Sequence, residues 1–412
     1  MVKFYKRRAI RVSIMEKTKK VIFQGELEQN SVDAAKVEAL LPTTCVQSHA
    51  SNIMPLTNGD LLCVWFAGTQ EGIADISIYM SRLNKGEHKW STAIKLSDDP
   101  TRSEQNPLLF PAPDGKLWLL YTSQKSGNQD TAIIKCRISE DDGYTWGAIT
   151  TLFDTPGIFI RQPIVVLDND DWLIPIWYCH TAPGEKWVGD FDTSAVKIST
   201  DCGKTWSEHP VPDSTGCVHM NVEKMTEGKL LAFFRSRWAD NIYASKSADN
   251  GRTWSKPVPT ELPNNNSSIQ FTRLNNGHLA MVFNNINSDS AIERRASLYD
   301  EIEDEEAEVQ PDTKAQAVTD TYDSNKRTAF WGTPRAPMTI AVSEDGGQTW
   351  PTMKDIEVGD GYCMTNNSKE KLNREYSYPS IKQTPDGRIH ITFTYFRQTI
   401  KYVCVSEEWV KA

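Results

Sequence analysis

A repeated eight-residue motif, S-x-D-x-G-x-T-W, constrains the fold of this 412-residue chain more than any other feature. It occurs four times, as SEDDGYTW from Ser139, STDCGKTW from Ser199, SADNGRTW from Ser247 and SEDGGQTW from Ser343. These residue types suit a hairpin turn. The aspartate accepts hydrogen bonds from backbone N–H groups, the glycine adopts a positive φ, and the tryptophan ring packs back between the strands. The recurrence predicts a chain built from repeated β units.

A second motif, a pair of turn residues followed by alternating apolar residues, occurs six times, which indicates six such units. It reads NGDLLCVW, DGKLWLLY, NDDWLIPIW, EGKLLAFF, NGHLAMVF and DGRIHITF, beginning at Asn58, Asp114, Asn169, Glu227, Asn276 and Asp386. The first four follow one another at intervals of 55 to 58 residues, enough for the four antiparallel strands of a propeller blade. A composition of 13 Trp, 13 Tyr, 14 Phe and 23 Gly agrees with short aromatic strands joined by many turns.

We therefore predict an all-β, six-bladed β-propeller over residues 19–412, after a disordered or extended lead over residues 1–18 whose first fourteen residues could also be an alternative start. Each blade buries its faces only against its neighbours, so the ring has to close. The last repeat is one strand short after TIKYVCVSE, and the segment KKVIFQGEL from Lys19 is a lone strand. Residues 21–27 are accordingly expected to complete the last blade.

An acidic segment over residues 286–332 interrupts the fifth repeat. It is poor in β-branched residues, so we interpret it as an insertion rather than a blade. We call the turns formed by the S-x-D-x-G-x-T-W motif the TW turns. If they join the third and fourth strands of each blade, the connections between second and third strands lie on the opposite face of the propeller. A binding or catalytic site on this architecture would lie on that face. The insertion is either a solvated acidic excursion or a lid or contact between copies in a homo-oligomer.

Charge and cysteine usage exclude several classes of function. A net charge of −9 with no basic stripe argues against nucleic acid as a partner, and no apolar run reaches the length of a membrane span. The basic N-terminus lacks an unbroken apolar stretch and a cleavage site, so we expect no export. The eight cysteines form no CxxC pair and several lie in apolar strands, which indicates reduced thiols, no metal site and a cytoplasmic location.

The repeats and the openings of the blades resemble those of the sialidase superfamily, in particular its BNR-repeat (Asp-box) group of predicted sialidases. The similarity extends from about Cys45 to Trp409, and it is carried by His49-Ala50-Ser51, Asn106-Pro107, LPNNNSS from Leu262 and SYPSIKQ from Ser377. The resemblance implies a sialidase-like propeller that binds an acidic oligosaccharide or glycoside and needs no cofactor.

Sialidases bind a carboxylate with three arginines, and they use a tyrosine nucleophile, a glutamate beside it and an aspartate acid/base. Counting residues from the turn glycine of each blade shows which positions of this sequence match these sialidase residues. The second and third arginines fall on Arg235 and Arg335, and the tyrosine falls on Tyr378, with Tyr376 as an off-register rival. The aspartate falls on Asp75.

Two positions depart from that pattern, because the first arginine is replaced by His49 and the glutamate by His219. Further substrate contacts are expected from Gln105, Asn106 and Arg161, which begin the innermost strands of their blades. Without the glutamate, a tyrosine nucleophile loses the carboxylate that would take its proton.

The remaining set resembles that of sialidase-like rhamnose–glucuronate lyases, in which neutralising a uronate carboxylate acidifies the adjacent C5 proton. On that resemblance β-elimination is the first hypothesis, with His49 as base, Tyr378 or His219 as acid and an arginine clamp on the carboxylate. An exo-sialidase with an altered site and a non-catalytic glycan-binding propeller are the alternatives. Each residue also has a structural interpretation: the histidines as strand cap or core, and the arginines as partners of Glu71, Asp75 or Glu375.

Overall fold

Strands alternate with short turns along the whole described chain, which in the computed structural model comprises residues 23–181, 185–290, 327–363, 365 and 368–412. Two short strands come first, β1 (Glu28–Gln29) and β2 (Val37–Leu40). The first blade contains β3 (Gln47–Pro55), β4 (Leu61–Gly68), β5 (Ser77–Leu83) and β6 (Ile94–Lys95). The second contains β7 (Arg102–Pro111), β8 (Leu117–Lys125), β9 (Asn128–Ser139) and β10 (Thr150–Phe153).

The third blade has its innermost strand in two pieces, β11 (Ile158–Phe159) and β12 (Val165–Val166), followed by β13 (Trp172–Tyr178), β14 (Thr193–Ser199) and β15 (Ser207–Pro210). The fourth contains β16 (Cys217–Lys224), β17 (Leu230–Ser236), β18 (Asn241–Ser247) and β19 (Val258–Pro263). The fifth contains β20 (Gln270–Arg273), β21 (Leu279–Asn284), β22 (Met338–Ser343) and β23 (Thr352–Glu357).

The sixth blade contains β24 (Tyr376–Gln383), β25 (Ile389–Tyr395) and β26 (Thr399–Val405), and β2 and β1 complete it in the order β1-β2-β26-β25-β24. Short helical segments lie at Ser288–Ser290, Ser368–Glu370 and α1 (Glu407–Lys411). No helix among the described residues is both long and apolar enough to cross a membrane. All eight cysteines are free thiols. The predicted six-bladed propeller with an N-terminal strand in its last blade is confirmed.

The closing strand is β2, so the expectation that residues 21–27 close the ring is wrong. β2 pairs with β26 from Val37 opposite Cys404 to Leu40 opposite Lys401. Of the predicted segment, residues 21 and 22 lie outside the described chain, and the described remainder forms one isolated bridge between Glu26 and Lys89. Apolar content favoured the earlier segment, whereas the pairing depends on which segment passes beside β26. The predicted lead over residues 1–18 lies outside the described chain.

One buried apolar cluster lies between each pair of neighbouring blades, and these six clusters make the ring a single core. Strand β4 shows how the sequence produces this packing. Leu62, Val64 and Phe66 point towards the second blade, whereas Cys63 and Trp65 point towards the sixth. Successive strand residues face opposite sides of a sheet. A blade buried on both faces therefore has the continuous apolar run LLCVWFA.

The TW turns join the third and fourth strands, and in all four the aspartate and the serine hydroxyl make the same hydrogen bonds. The indole donates to the glycine carbonyl in the first three, whereas the indole of Trp350 has no hydrogen-bond partner among the described residues. In the first, Asp141 accepts from the backbone and hydroxyl of Thr145 at 2.7 and 2.6 Å, and the backbone N–H of Gly143 donates to Ser139. Gly143 has a φ of +86°, and the Trp146 indole donates back to its carbonyl. These turns lie at the same end of the blades as the six turns between first and second strands. The starts of the innermost strands and the second-to-third connections lie at the other end.

Four innermost strands carry a β-bulge near their start, at that other end. The residue with positive φ in each bulge is Ala50, Asn106, His219 or Tyr378, with φ between +50° and +58°. A bulge redirects the side chain it carries, and a non-glycine residue at positive φ stores strain that functional sites often contain. Four blades thus place a residue with strained backbone at the equivalent position of the innermost strand, around the central axis of the propeller.

The acidic insertion lies in the connection between β21 and β22, the second and third strands of the fifth blade. Residues 291–326 lie outside the described chain, and whether the insertion acts as a lid or as an oligomer contact stays a prediction. Its described C-terminal end contacts the fourth and third blades. The backbone N–H of Phe330 donates to the carbonyl of Arg237, and the indole of Trp331 donates to the carbonyl of Val188.

Candidate active site

A cavity of about 440 Å³, its mouth included, opens at the end of the propeller opposite the TW turns. All six blades contribute to its wall, through the innermost strands and through the connections between second and third strands. The lining residues are Glu71, Gln105, Asn106, Gln129, Phe159, Trp177, Trp187, His219, Arg235, Arg237, Trp331, Arg335, Tyr378 and Arg397.

Tyr378 lies among positive charges on the wall of this cavity. Its hydroxyl oxygen accepts a hydrogen bond of 2.6 Å from Nη1 of Arg235. The guanidinium carbons of Arg161, Arg235 and Arg335 lie 5.5 to 5.7 Å from the centre of its ring. Negative charge that develops on the phenol oxygen is therefore stabilised by a preorganised cationic donor.

Arg235 is a buried cation whose only side-chain partners are neutral. Its Nε donates to the amide oxygen of Asn266 at 2.8 Å, and its Nη1 also approaches Nε2 of His219 at 3.3 Å. No carboxylate of the described chain lies within ion-pair distance of it. Burial lowers its pKa to about 10, and the nearby Tyr378 offsets part of that shift. Burying a guanidinium without a paired carboxylate is energetically costly.

His219 occupies the slot of the missing glutamate and lines the cavity. Because an arginine can only donate, Nε2 of His219 accepts from Arg235, and Nδ1 donates to Ser268 Oγ at 3.0 Å. Its ring packs on Trp177 at 4.3 Å. Burial, followed by the charges of Arg235 and Arg237, holds its pKa well below the usual value, so the imidazole is neutral.

Arg335 and Arg397 share the buried carboxylate of Glu375. Oε1 of Glu375 lies 3.2 Å from Nη1 of Arg335 and 2.9 Å from Nε of Arg397, and Arg397 also binds Glu71 at 2.6 Å. Burial alone would raise the pKa of Glu375, but the two guanidiniums hold it well below its usual value. The pairing of Arg335 with Glu375 matches one structural interpretation drawn from the sequence, yet Arg335 still lines the cavity.

Arg237, two residues after Arg235, forms the third charged group. It binds the fully buried Asp192 at 2.7 Å, and its guanidinium lies 5.1 Å from the rings of both Trp187 and Trp331. Those two indoles meet edge to face at 5.6 Å. The described end of the acidic insertion thus supplies an aromatic wall of the cavity.

His49 and Arg161 lie behind Tyr378 rather than on the cavity wall. The ring of His49 is fully buried, 4.3 Å from the ring of Tyr378, and its Nδ1 shares a hydrogen bond of 2.8 Å with Thr394. Burial, then the charge of Arg397, holds its pKa well below the usual value. A base in this position has no path to a ligand while Tyr378 covers it.

Arg161 does not line the cavity either; backbone carbonyls bind both terminal nitrogens of its guanidinium, while its buried Nε has no hydrogen-bond partner among the described residues. It donates to Ala50 and Ser51 of the first blade and to Tyr378 and Pro379 of the sixth, at 2.9 to 3.3 Å. Those four carbonyls belong to two of the strained bulges. Arg161 therefore supports the backbone that carries Tyr378, and it lies outside the cavity lining where a direct substrate contact was expected.

Of the other predicted site residues, Gln105 and Asn106 line the cavity and Asp75 does not. Asp75 is exposed on the connection between β4 and β5, where its carboxylate accepts from the backbone of Thr69. The acid that faces the cavity from that connection is Glu71. The rival Tyr376 also lies outside the lining, with its hydroxyl on the carbonyl of Val358.

Sequence reasoning missed Arg397, Trp331 and Arg237, and it treated Glu71 only as an ion-pair partner. Arg237 could have been found, since it follows Arg235 by two residues and so lies on the same side of an extended strand. Arg397 and Trp331 lie in connections that carry no repeat motif, and no local signal marks them.

The described residues bring together one group with metal-binding atoms, His278, Glu344 and Glu407, away from the cavity near the turn between β20 and β21. The ammonium of Lys411 lies 2.6 Å from Glu344 and 2.9 Å from Glu407. A lysine already supplies the positive charge there, so this group is an ion-pair cluster.

Comparisons with known proteins agree with the fold and the repeats. Residues 59–391 match the family described as BNR repeat-like domain. No curated protein matches the chain in sequence. Among solved structures, the Hadza microbial sialidase Hz136 superposes with a TM-score of 0.64 at 13% identity, over 89% of this chain and 66% of that one.

Two further structures show the same similarity. The NanB sialidase from Streptococcus pneumoniae gives a TM-score of 0.62 at 12% identity, over 89% of this chain and 69% of that one. A protein of unknown function from Dyadobacter fermentans gives 0.62 at 13% identity, over 89% and 97%. The chain thus spans about two thirds of the length of the two sialidases. The chain belongs to the BNR repeat-like domain family, as the repeats predicted, and it shares its fold with these sialidases.

Proposed function

We propose that this protein cleaves the glycosidic bond of a sugar that carries a carboxylate, with Arg235 and Arg335 binding that carboxylate and Tyr378 reacting at the sugar. The observation that carries the proposal is the contact of Arg235, a buried cation without a carboxylate partner, with the hydroxyl of Tyr378 on the cavity wall. A ligand carboxylate supplies the missing negative charge and places the sugar ring beside the phenol.

Hydrolysis through Tyr378 is the chemistry that these groups support best. The phenol oxygen forms a bond to the anomeric carbon while the bond to the leaving oxygen breaks, and that oxygen takes a proton from water at the cavity mouth. His219, the neutral imidazole that shares Arg235 with Tyr378, is the candidate to take the phenol proton. Water then releases the sugar.

Elimination is a second candidate, favoured by the neutral imidazole where sialidases have a carboxylate. In that reaction His219 removes the C5 proton of a uronate, Tyr378 protonates the leaving oxygen, and the arginines stabilise the charge on the carboxylate. The base differs from the sequence hypothesis, because the full burial of His49 behind Tyr378 argues against it.

The test uses fluorogenic glycosides of N-acetylneuraminic acid and glucuronic acid, with the neutral glucoside as control. A disaccharide linked to C4 of glucuronate is added, because elimination breaks the bond between C4 and its oxygen. We expect turnover of an acidic glycoside only. Tyr378→Phe should lower kcat by at least about 10³-fold, since it removes the reacting oxygen and keeps the ring. Tyr376→Phe is the matched control, because Tyr376 lies outside the cavity lining, and it should leave the rate unchanged.

Product analysis separates the candidates. A saturated sugar acid indicates hydrolysis, and an unsaturated uronate with ultraviolet absorbance indicates elimination. Binding of the acid without any turnover, and with equal affinity in Tyr378→Phe, would instead identify a glycan-binding propeller and refute the proposal.

A further inference from the structure

The carboxylates at the cavity are paired with guanidiniums. Glu71, the one carboxylate among the described lining residues, lies 2.6 Å from Nη1 of Arg397. Behind the lining, Glu375 lies 2.9 Å from Nε of the same arginine. Asp192 lies 2.7 Å from Nη2 of Arg237. An adjacent guanidinium keeps a carboxylate in its charged form, which has no proton to give. Of the carboxyl groups that the structure describes at the cavity, none is therefore placed to protonate a leaving oxygen.

His219 lies on the wrong side of the sugar for that task. Its Nε2 and the hydroxyl of Tyr378 both contact Nη1 of Arg235, at 3.3 and 2.6 Å, so the imidazole and the phenol meet the sugar from one face. In a displacement by Tyr378, the leaving oxygen departs from the opposite face. That oxygen has to leave without a proton from the wall. A phenol is acidic enough to leave readily as its anion, whereas an alcohol or a sugar hydroxyl is not.

An aromatic corner of the cavity, formed by Trp187 and Trp331, suits a flat apolar leaving group. The two rings are partly exposed and meet edge to face at 5.6 Å. Their indole N–H groups donate to Asp192 at 2.9 Å and to the carbonyl of Val188 at 3.0 Å, so the rings offer carbon surface to a ligand. In the same connection as Trp187, Val188 and Phe191 are 48% and 37% exposed. This corner is therefore a surface on which an aromatic ring can pack.

The aromatic corner is built into the backbone and lies close to the reacting groups. Gly189 has a φ of +94°, and a Cβ there would lie 3.1 Å from Trp331 and 3.4 Å from Trp187, so a glycine lets both rings pack against this turn. The guanidinium carbon of Arg235 lies 5.7 Å from the centre of the Trp331 ring. Since the same guanidinium binds the hydroxyl of Tyr378, the corner is within reach of a group attached to a sugar that contacts Tyr378.

We propose that the substrate is an aryl glycoside of a sugar acid, and that its phenolic leaving group packs on Trp331. This inference rests on the proposed function, and within it on hydrolysis through Tyr378. The oxygen of Tyr378 bonds to the anomeric carbon, its proton passes to His219, and the aryl oxygen departs with the electron pair of the broken bond. One water then replaces Tyr378 at the anomeric carbon. His219 returns its proton to Tyr378, and the proton released by that water neutralises the phenolate.

The first experiment varies the leaving group. It compares kcat/KM, which reports on cleavage of the glycosidic bond, for nitrophenyl, phenyl, methyl and lactosyl glycosides of the sugar acid that the fluorogenic assay identifies. We expect kcat/KM to fall steeply as the leaving phenol becomes less acidic. The methyl and lactosyl glycosides should be slower than the phenyl glycoside by at least about 10²-fold, the usual contribution of a general acid.

Two results of this comparison are distinguishable. Equal kcat/KM for the phenyl and lactosyl glycosides, or no dependence on the acidity of the phenol, overturns this inference and leaves the proposed function standing. If no acidic glycoside is turned over, the proposed function fails with it.

The second experiment tests the aromatic corner. Trp331→Ala should lower kcat/KM for the nitrophenyl glycoside by about 3- to 10-fold, the contribution of one aromatic pair, and leave the calorimetric affinity for the free sugar acid unchanged. Trp331→Phe keeps a ring and should restore most of the rate. Tyr144→Ala is the matched control, because Tyr144 is 62% exposed in a TW turn at the other end, and it should behave as the wild type does. An equal loss of affinity for the free acid in Trp331→Ala, or no loss of rate, overturns the role of Trp331.

Discussion

Replacing Arg235 with methionine should weaken ligand binding without destabilising the protein. Burial lowers the pKa of Arg235 from 12.5 to about 10. At ~1.4 kcal/mol per pKa unit, holding the charged form in this position costs roughly 3 kcal/mol. The substitution removes that cost together with the hydrogen bonds to Asn266, His219 and Tyr378. Those bonds contribute about 1 kcal/mol each, so we expect a free energy of unfolding within about 1 kcal/mol of the wild type.

Arg237→Met is the matched comparison, since Arg237 lies two residues away and lines the same cavity. Its partner Asp192 has no exposed surface, and breaking a buried ion pair costs about 3–5 kcal/mol. Urea denaturation followed by circular dichroism should therefore separate the two variants clearly. Calorimetry with the sugar acid should show a loss of affinity in Arg235→Met. If Arg235→Met loses as much stability as Arg237→Met, Arg235 is a structural cation and the anion-site reasoning fails.

Three further predictions concern the groups around Tyr378 and the turns opposite. The pKa values of His49 and His219 lie well below 6.5 because of burial, so below pH 6.5 the unfolded chain binds protons that the folded chain does not. As the pH falls below 6.5, the free energy of unfolding should therefore decrease by up to ~1.4 kcal/mol per pH unit for each histidine. A plot of the urea midpoint against pH should have a shallower slope for His49→Asn than for the wild type. Arg161→Met orphans four backbone carbonyls at about 1–3 kcal/mol each, and removal of its buried charge, whose pKa burial also lowers to about 10, offsets roughly 3 kcal/mol of this. It should therefore still cost more than about 1 kcal/mol, measured the same way, with a lower kcat in the folded fraction. Asp141→Ala should cost about 1–2 kcal/mol in urea and leave kcat unchanged, because its turn lies at the far end of the blade. An Asp141→Ala variant with altered kcat, or an Arg161→Met variant as stable as the wild type, would contradict these assignments.

Local sequence was enough to predict the blades. The turn glycines, the Asp-box aspartates and the two-residue alternation of β4 act over a few neighbouring residues, so each hairpin can be identified without knowledge of the others. Spacing from those turns also placed Arg235, Arg335 and Tyr378 on the cavity wall, since a residue's height along its blade follows from its distance to the turn. That part of the candidate site is a consequence of the repeat.

Only the closed ring decided which side chains meet. Arg397 reaches the cavity because β25 and β26 pack beside the first blade, and β2 rather than residues 21–27 closes the ring because it passes along β26. The same closure places Arg161 of the third blade against the bulges of the first and sixth, where four carbonyls accept from it, and places His49 behind Tyr378. These contacts join residues far apart in the chain. Their partners depend on how six blades are rotated about one axis, and no motif within a single blade contains that information.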